Sequence, residues 1–260
     1  MSKNWLAPEL KSGTVIQMAN PANKLSDWES ISVFFPCHNE EGNLRRVYES
    51  ASKVLQNTGL DYEIIVVDDG STDGTLQVAN DIVAADPKVR VIHHPKNLGY
   101  GSALQSGFRA ATKTLIFYTD GDGQFSLDEL PPLLPLMNQN DVVTCFRLNR
   151  QDGLIRRFNG WCWTSLVCLI FRLRIKDINC AFKLYKRGLF DGMVLRSTGA
   201  LINAEILARA TRRGLTITQV GVHHFPRING QQTGSNFSVI FRAIGELAKF
   251  YRHIRKDDSR

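Results

Sequence analysis

"YEIIVVDDGSTDGT" (residues 62–75) joins a run rich in Ile and Val to two adjacent acids and a turn of Gly, Ser, Thr and Asp. A segment apolar on both faces suits a strand covered on both sides. The turn residues stop it before a helical pattern near 75–85. The unit recurs along the chain. "ISVFFP" (31–36) precedes a helix near 41–56, and "VRVIHH" (89–94) precedes one from about 101 to 111. "TLIFYTD" (114–120) leads to a helix near 127–138, and "DVVTCF" (141–146) closes the series. Strands of this type separated by single helices predict an α/β fold with a mainly parallel, doubly wound sheet.

The polar signals fall where these strands end: "PCHNE" (36–40), "VDDGSTDGT" (67–75) and "TDGDGQF" (119–125). Each alone reads as a polar turn. Three on one edge read as a site, because ligands of open α/β sheets bind at the carboxyl ends of the strands. No G-x-x-x-x-G-K-[ST] motif occurs, and "GYGSAL" (99–104) has Leu104 where a dinucleotide fingerprint needs its third glycine. Asp120, Asp122 and Gln124 alternate along the third turn, a pattern that suits a hard divalent cation, Mg²⁺ or Mn²⁺. Two carboxylates supply charge and leave coordination positions for a diphosphate. Asp68 and Asp69 are placed to accept hydrogen bonds from a base or ribose. The alternative for this pair is capping the helix near 75–85, which Ser71, Thr72 or Asp73 would serve equally well.

The chain has 260 residues, 43% of them hydrophobic and 22% charged, which fits one large α/β domain as well as two small ones. Its five cysteines form no C-x-x-C pair, which argues against a disulfide framework and a structural zinc site. Residues 1–29 read as a flexible extension without the apolar core of a secretory signal. No run reaches the roughly 18–20 apolar residues that would span a bilayer. The formal charge is +7, and the segment 150–187 alone carries nine basic and two acidic residues. A basic sector implies an anionic partner. The basic residues interleave with a solidly apolar run and not with scattered stacking aromatics, which argues against nucleic acid.

"PCHNEE" (36–41), "VDDGSTDGT" and "DGDGQ" (120–124), in that order, resemble the nucleotide-sugar half of family 2 inverting glycosyltransferases with the GT-A fold. "RRFNGWCW" (156–163), "DINCAFKLYKR" (177–187) and "HHFPRINGQQTGSN" (223–236) are similar to the dolichyl-phosphate mannose synthase and polyprenyl-phosphate glycosyltransferase branch. The likeness covers roughly residues 30–250. It implies a glycosyltransferase domain over 30–235, with a nucleotide-sugar half (30–125) and an acceptor half (126–235), then a basic amphipathic helix over 236–260. It further implies transfer of a hexose to a polyprenyl or dolichyl phosphate, mannose from GDP-mannose or else glucose from UDP-glucose. The place of action would be the cytoplasmic face of a membrane, held peripherally, with room for a separate membrane-anchoring subunit.

Carried over by position, the resemblance assigns Pro36, His38 and Glu40 to the nucleotide sugar, with Asp68 or Asp69 beside the base and ribose. It assigns Asp120, Gly121 and Asp122 to the diphosphate, and Asp120, Asp122 and Gln124 to the metal. Asp122, Arg147 and Arg227 would be catalytic. Arg147, Arg156, Arg157, Lys183, Arg227, Thr233 and Ser235 would meet the acceptor phosphate. Two motifs depart from the family. Thr233 and Ser235 stand where a Ser-Lys pair is usual, and "CAFK" puts Lys183 where an arginine is usual, a point charge in place of a planar fork.

The acceptor follows from the acid–base chemistry. A sugar hydroxyl needs a general base to take its proton, whereas a phosphomonoester is mostly anionic near neutral pH. The nearest candidate base is Glu205 in "NAEIL" (203–207), whose plain alternative is an exposed helix glutamate. A surplus of arginines without a clear base favours an anionic acceptor over a saccharide hydroxyl, and the intact acid cluster argues against a catalytically silent binding module. "WCWTSLVCLIF" (161–171), bracketed by Arg156, Arg157, Arg172 and Arg174, suits a helix lying in the headgroup region of anionic lipid, or else buried at a subunit contact.

Overall fold

The structure, a computed structural model, describes residues 28–148 and 154–229 together with Leu247 and Phe250. The expected extension and carboxyl-terminal helix lie outside these residues except for Trp28, Glu29, Leu247 and Phe250. The strands are β1 (Ser30–Cys37), β2 (Asp61–Asp68), β3 (Val89–His93), β4 (Leu115–Thr119), β5 (Val142–Leu148), β6 (Phe182–Lys186) and β7 (Ile217–His223). The helices are α1 (Glu41–Gln56), α2 (Thr75–Ala85), α3 (Tyr100–Ala110), α4 (Leu154–Phe171) and α5 (Ile202–Arg212).

One sheet of order β3-β2-β1-β4-β6-β5-β7 contains all seven. β3, β2, β1 and β4 pair in parallel, as the two-faced apolar runs predict. Ile64, Ile65, Val66 and Val67 of β2 are fully buried, as are Val33, Phe34 and Phe35 of β1. α1 buries an apolar stripe, Leu44, Val47, Ala51, Val54 and Leu55, at helical spacing in the same core. Two features depart from the sequence reading. β6 runs antiparallel between β4 and β5, which leaves β5 and β7 parallel to each other. The helix expected near 127–138 is two stretches of 3₁₀ helix, Leu127–Glu129 and Pro131–Asn138. Pro131, Pro132 and Pro135 lack the N–H that α-helical pairing needs.

The strand order reverses between β1 and β4, so the site motifs meet at the switch point of the sheet. The antiparallel β6 starts at that edge, with Phe182 opposite Thr119, and the parallel β7 ends there, with His223 opposite Leu148. The loops before β6 and after β7 are thereby carried to the ends of β1 and β4.

Candidate active site

The first two motifs are laced together. The Asn39 side chain accepts from the Thr72 N–H at 2.8 Å, the Asn39 N–H donates to the Ser71 hydroxyl, and the Glu40 N–H donates to Thr75 Oγ1 at 2.7 Å. His38 Nδ1 lies 3.0 Å from the Asp69 carbonyl. Gly70 has a φ of +65°, and an added Cβ would fall 2.2 Å from the Lys96 carbonyl carbon, so the 94–99 loop presses directly on this turn.

Both acids of the second motif are engaged by the protein itself. Asp68 accepts from the Ser71 N–H at 3.2 Å and faces His93 Nδ1 at 2.7 Å. Asp69 accepts from the Leu98 and Gly99 N–H groups, each at 2.9 Å, and from His94 Nδ1 at 2.7 Å; the far ring nitrogen of His94 meets the Ser106 hydroxyl at 2.9 Å. The sequence placed these acids beside a base or ribose. Here both are buried, and Asp69 holds the 94–99 loop against the 67–75 turn.

The third motif lies beside the first. The Gly121 N–H donates to the Pro36 carbonyl at 3.3 Å, and an added Cβ at Gly121 would fall 2.4 Å from Cys37 Sγ, so no larger residue fits this approach. Asp120 accepts from the Tyr100 hydroxyl at 3.1 Å, and Asp122 from the Gln124 N–H at 3.0 Å. Burial, then the neighbouring Asp122 charge, push the Asp120 carboxyl up to about 7, while the Tyr100 hydroxyl pulls the other way. Glu40 is raised in the same sense, chiefly by burial. Three acids crowded at one buried edge leave an electrostatic demand that a cation satisfies.

Part of that demand is met by Arg227. Its guanidinium pairs with Glu40 through one terminal nitrogen and stands 3.9 Å from Asp122 through the other. Its Nε donates to the Asn229 carbonyl at 2.7 Å. The 225–229 segment is pinned at both ends. Phe225 exchanges two hydrogen bonds with Gln124, backbone to backbone at 2.8 Å and Gln124 Nε2 to the Phe225 carbonyl at 3.0 Å. The Asn229 side chain donates to the Gly42 carbonyl at 2.9 Å. Gln124, expected as a metal ligand, thus anchors this segment through its amide nitrogen and has its carboxamide oxygen left to offer a cation. Among the described residues no group of three or more His, Cys, Asp or Glu is gathered as a metal cluster. Asp120 and Asp122 fit a cation whose remaining ligands come from elsewhere, such as a donor diphosphate.

The acceptor-side expectations divide. Arg147 forms a bidentate pair with Asp177, at 2.7 and 3.1 Å, on the loop leading into β6; the sequence reading gave Asp177 no role. Lys183 is fully buried in β6, and its ammonium donates to the carbonyls of Ile178 and Cys180. Burial lowers its pKa. A side chain without exposed surface does not grip a phosphate, so Lys183 is corrected to a brace for the 178–180 loop. Glu205 is corrected as well. It is fully buried, not exposed, and it accepts from the Arg196 and Ser197 N–H groups and from Arg209 Nε at 3.0 Å. A carboxylate so engaged is no general base. Thr233, Ser235 and the side chains of Arg156 and Arg157 lie outside the described residues. On α4, Trp161, Leu166 and Leu169 are exposed, with Arg172 and Arg174 exposed just beyond it. No helix among the described residues is long and apolar enough to cross a membrane.

Comparison with known proteins accords with this geometry. The chain is 32% identical over 193 residues to undecaprenyl-phosphate 4-deoxy-4-formamido-L-arabinose transferase of Pectobacterium atrosepticum, covering 72% of this chain and 59% of that protein. It is 30% identical over 169 residues to dodecaprenyl-phosphate galacturonate synthase of Rhizobium johnstonii, covering 64% of this chain and 50% of that protein. The chain therefore spans between half and three fifths of the length of these curated relatives. The fold is similar to that of glucosyl-3-phosphoglycerate synthase from Mycobacterium tuberculosis, solved with Mn²⁺, UDP-glucose and phosphoglyceric acid. That match has a TM-score of 0.64 at 22% identity, over 86% of this chain and 80% of that one. Mannosyl-3-phosphoglycerate synthase from Rubrobacter xylanophilus gives a TM-score of 0.66 at 18% identity, over 90% and 76% of the two chains. The sequence model described as "Glycosyl transferase family 2" matches residues 32–199, more than half of the chain, and the chain belongs to that family.

Proposed function

We propose that this protein transfers a sugar, with inversion, from a nucleotide diphosphate to a polyprenyl phosphate at a membrane surface. The observation that carries the reading is Arg227, which reaches from the loop after β7 to Glu40 and towards Asp122 at the switch point. A cation from the acceptor half thereby meets the acids of the donor half. Breaking the sugar–phosphate bond leaves negative charge on the departing nucleotide, and Arg227 is poised to neutralise it as it forms. A Mg²⁺ or Mn²⁺ ion held by Asp120 and Asp122 would supply Lewis-acid stabilisation of the same diphosphate. Asp69 and the 94–99 loop shape the turn that receives the nucleotide. The acceptor attacks as a phosphate anion, which fits a site whose nearest candidate base, Glu205, is fully engaged.

The membrane part rests on α4. Trp161 and Leu169 are 64% and 79% exposed on a helix followed by two exposed arginines, an arrangement suited to the interface of an anionic leaflet. The cytoplasmic face and a separate anchoring subunit belong to the same proposal. The donor is a hexose nucleotide, mannose from GDP-mannose first and UDP-glucose second, with the arabinose and uronate donors suggested by the relatives' names as further candidates. The test is a screen of these donors against a short polyprenyl phosphate, with and without chelator, counting label in the organic phase. Metal-dependent label that mild acid releases supports the reading. Undiminished turnover in excess chelator removes the metal, and no transfer from any donor favours a silent binding module.

A further inference from the structure

Most large apolar side chains among the described residues are buried, but two exposed ones bracket the arginine at the site. Phe225 is 47% exposed and Ile228 is 66% exposed, while Arg227 between them turns inward to Glu40. Their exposure does not come from a loose end. Phe225 is fixed by its paired hydrogen bonds to Gln124, and its ring stacks near His223 at 6.4 Å between centroids. Ile228 precedes Asn229, whose side chain donates to the Gly42 carbonyl and whose carbonyl accepts from Asn43 Nδ2. The segment is strapped across the site from the acid loop to the start of α1, with its cation facing in and its apolar side chains facing out.

Phe225 and Ile228 keep much of their apolar surface in water, so neither gains the full benefit of burial in the free protein. An apolar pair flanking an inward cation at the mouth of a site matches a ligand with an anionic head and an apolar tail. A small, wholly polar phosphate would use the arginine and leave the pair in water. We propose that Phe225 and Ile228 contact the first isoprene units of the acceptor, and so select a prenyl phosphate over a small polar one. This deepens the proposed function and rests on it.

The experiment compares the wild type with the double variant Phe225→Ser, Ile228→Ser. It uses a short prenyl phosphate dispersed in detergent and the same prenyl phosphate in neutral vesicles, and measures nucleotide diphosphate binding separately. Both side chains are exposed, so the variant should fold; Ile228→Ser alone, at the more exposed of the two positions, serves if the double variant's melting temperature falls. The expected result is a KM for the dispersed prenyl phosphate raised about 10-fold or more, with nucleotide affinity unchanged. That factor corresponds to losing about 1.4 kcal/mol of apolar contact. An unchanged KM in an enzyme whose wild type transfers to prenyl phosphate overturns the inference. A rise confined to the vesicle-borne acceptor also overturns it, since that would be contact with the bilayer and not with the tail. If the wild type transfers to no prenyl phosphate, the underlying reading has failed instead.

Discussion

Replacing Asp69 by Asn separates a structural acid from a ligand-binding one. In the structure one carboxylate oxygen accepts from the Leu98 N–H and His94, and the other from the Gly99 N–H. The amide keeps the first oxygen's role but sets an NH₂ group against the Gly99 N–H, two donors face to face. One hydrogen bond to a charged group is lost, worth about 1.5–3 kcal/mol, and a buried N–H is left unpaired at a cost of similar size. Relaxation of the loop offsets part of this, so the expected loss is about 3 kcal/mol. For a domain of this size that lowers the melting temperature by about 6–12 °C. The assay is thermal unfolding without ligand, paired with calorimetric titration of the nucleotide. The account expects the stability loss to appear with no nucleotide present, and nucleotide affinity to fall because the 94–99 loop shifts. An unchanged melting temperature with nucleotide binding abolished would refute the reasoning and return Asp69 to the base or ribose.

The raised pKa of Asp120, about 7, makes the ligand-free protein pH-sensitive. Between the ordinary carboxylate range and about 7 the folded state holds a proton that the unfolded chain has released, so stability falls as pH rises through that window. Urea unfolding at pH 5 and pH 7.5 should show the decline, and Asp120→Asn should remove this contribution; a variant with the full wild-type slope would count against the assignment. Glu205→Gln should lower the melting temperature, because it weakens the hold on the Arg196 and Ser197 N–H groups, yet leave the pH profile of kcat/KM in place. Loss of the basic limb of that profile would restore Glu205 as a base. Replacing Arg156, Arg157, Arg172 and Arg174 with glutamine should release the protein from anionic vesicles, at about 1 kcal/mol for each arginine. Sedimentation at low salt checks it, and a quadruple variant that pellets like the parent excludes this segment as the docking surface.

The parallel half of the fold was legible because β1, β2 and β4 are apolar on both faces, and only a sheet covered by helices buries such runs. The bounds of α1 and α2 followed from their apolar spacing. β6 was not legible as an antiparallel insertion, since the strand itself carries no mark of its direction. The 3₁₀ stretch was readable in principle from Pro131, Pro132 and Pro135, but the apolar spacing of Leu133, Leu134 and Met137 pointed to an ordinary helix. At the site, the edge and its motifs were visible, whereas the engagement of individual side chains was not. Asp69 is spent on groups about thirty residues away, Glu205 on a loop before its own helix, and Lys183 on carbonyls of the loop leading into its own strand. Such partners are matters of tertiary contact, which the order of residues does not display. Asp177 escaped notice for the same reason, because its tie to Arg147 exists only once β5 and β6 are neighbours.

The central claim is that the acceptor brings its own negative charge and needs no base from the protein. The direct measurement gives the enzyme one nucleotide sugar and two acceptors with the same tail, a prenyl phosphate and the corresponding prenol, and compares the rates of label entering the organic phase. The account predicts transfer to the phosphate with the prenol at background, because the alcohol meets neither a base nor a charge for Arg227. Transfer to the prenol at a rate comparable to that of the phosphate would contradict it.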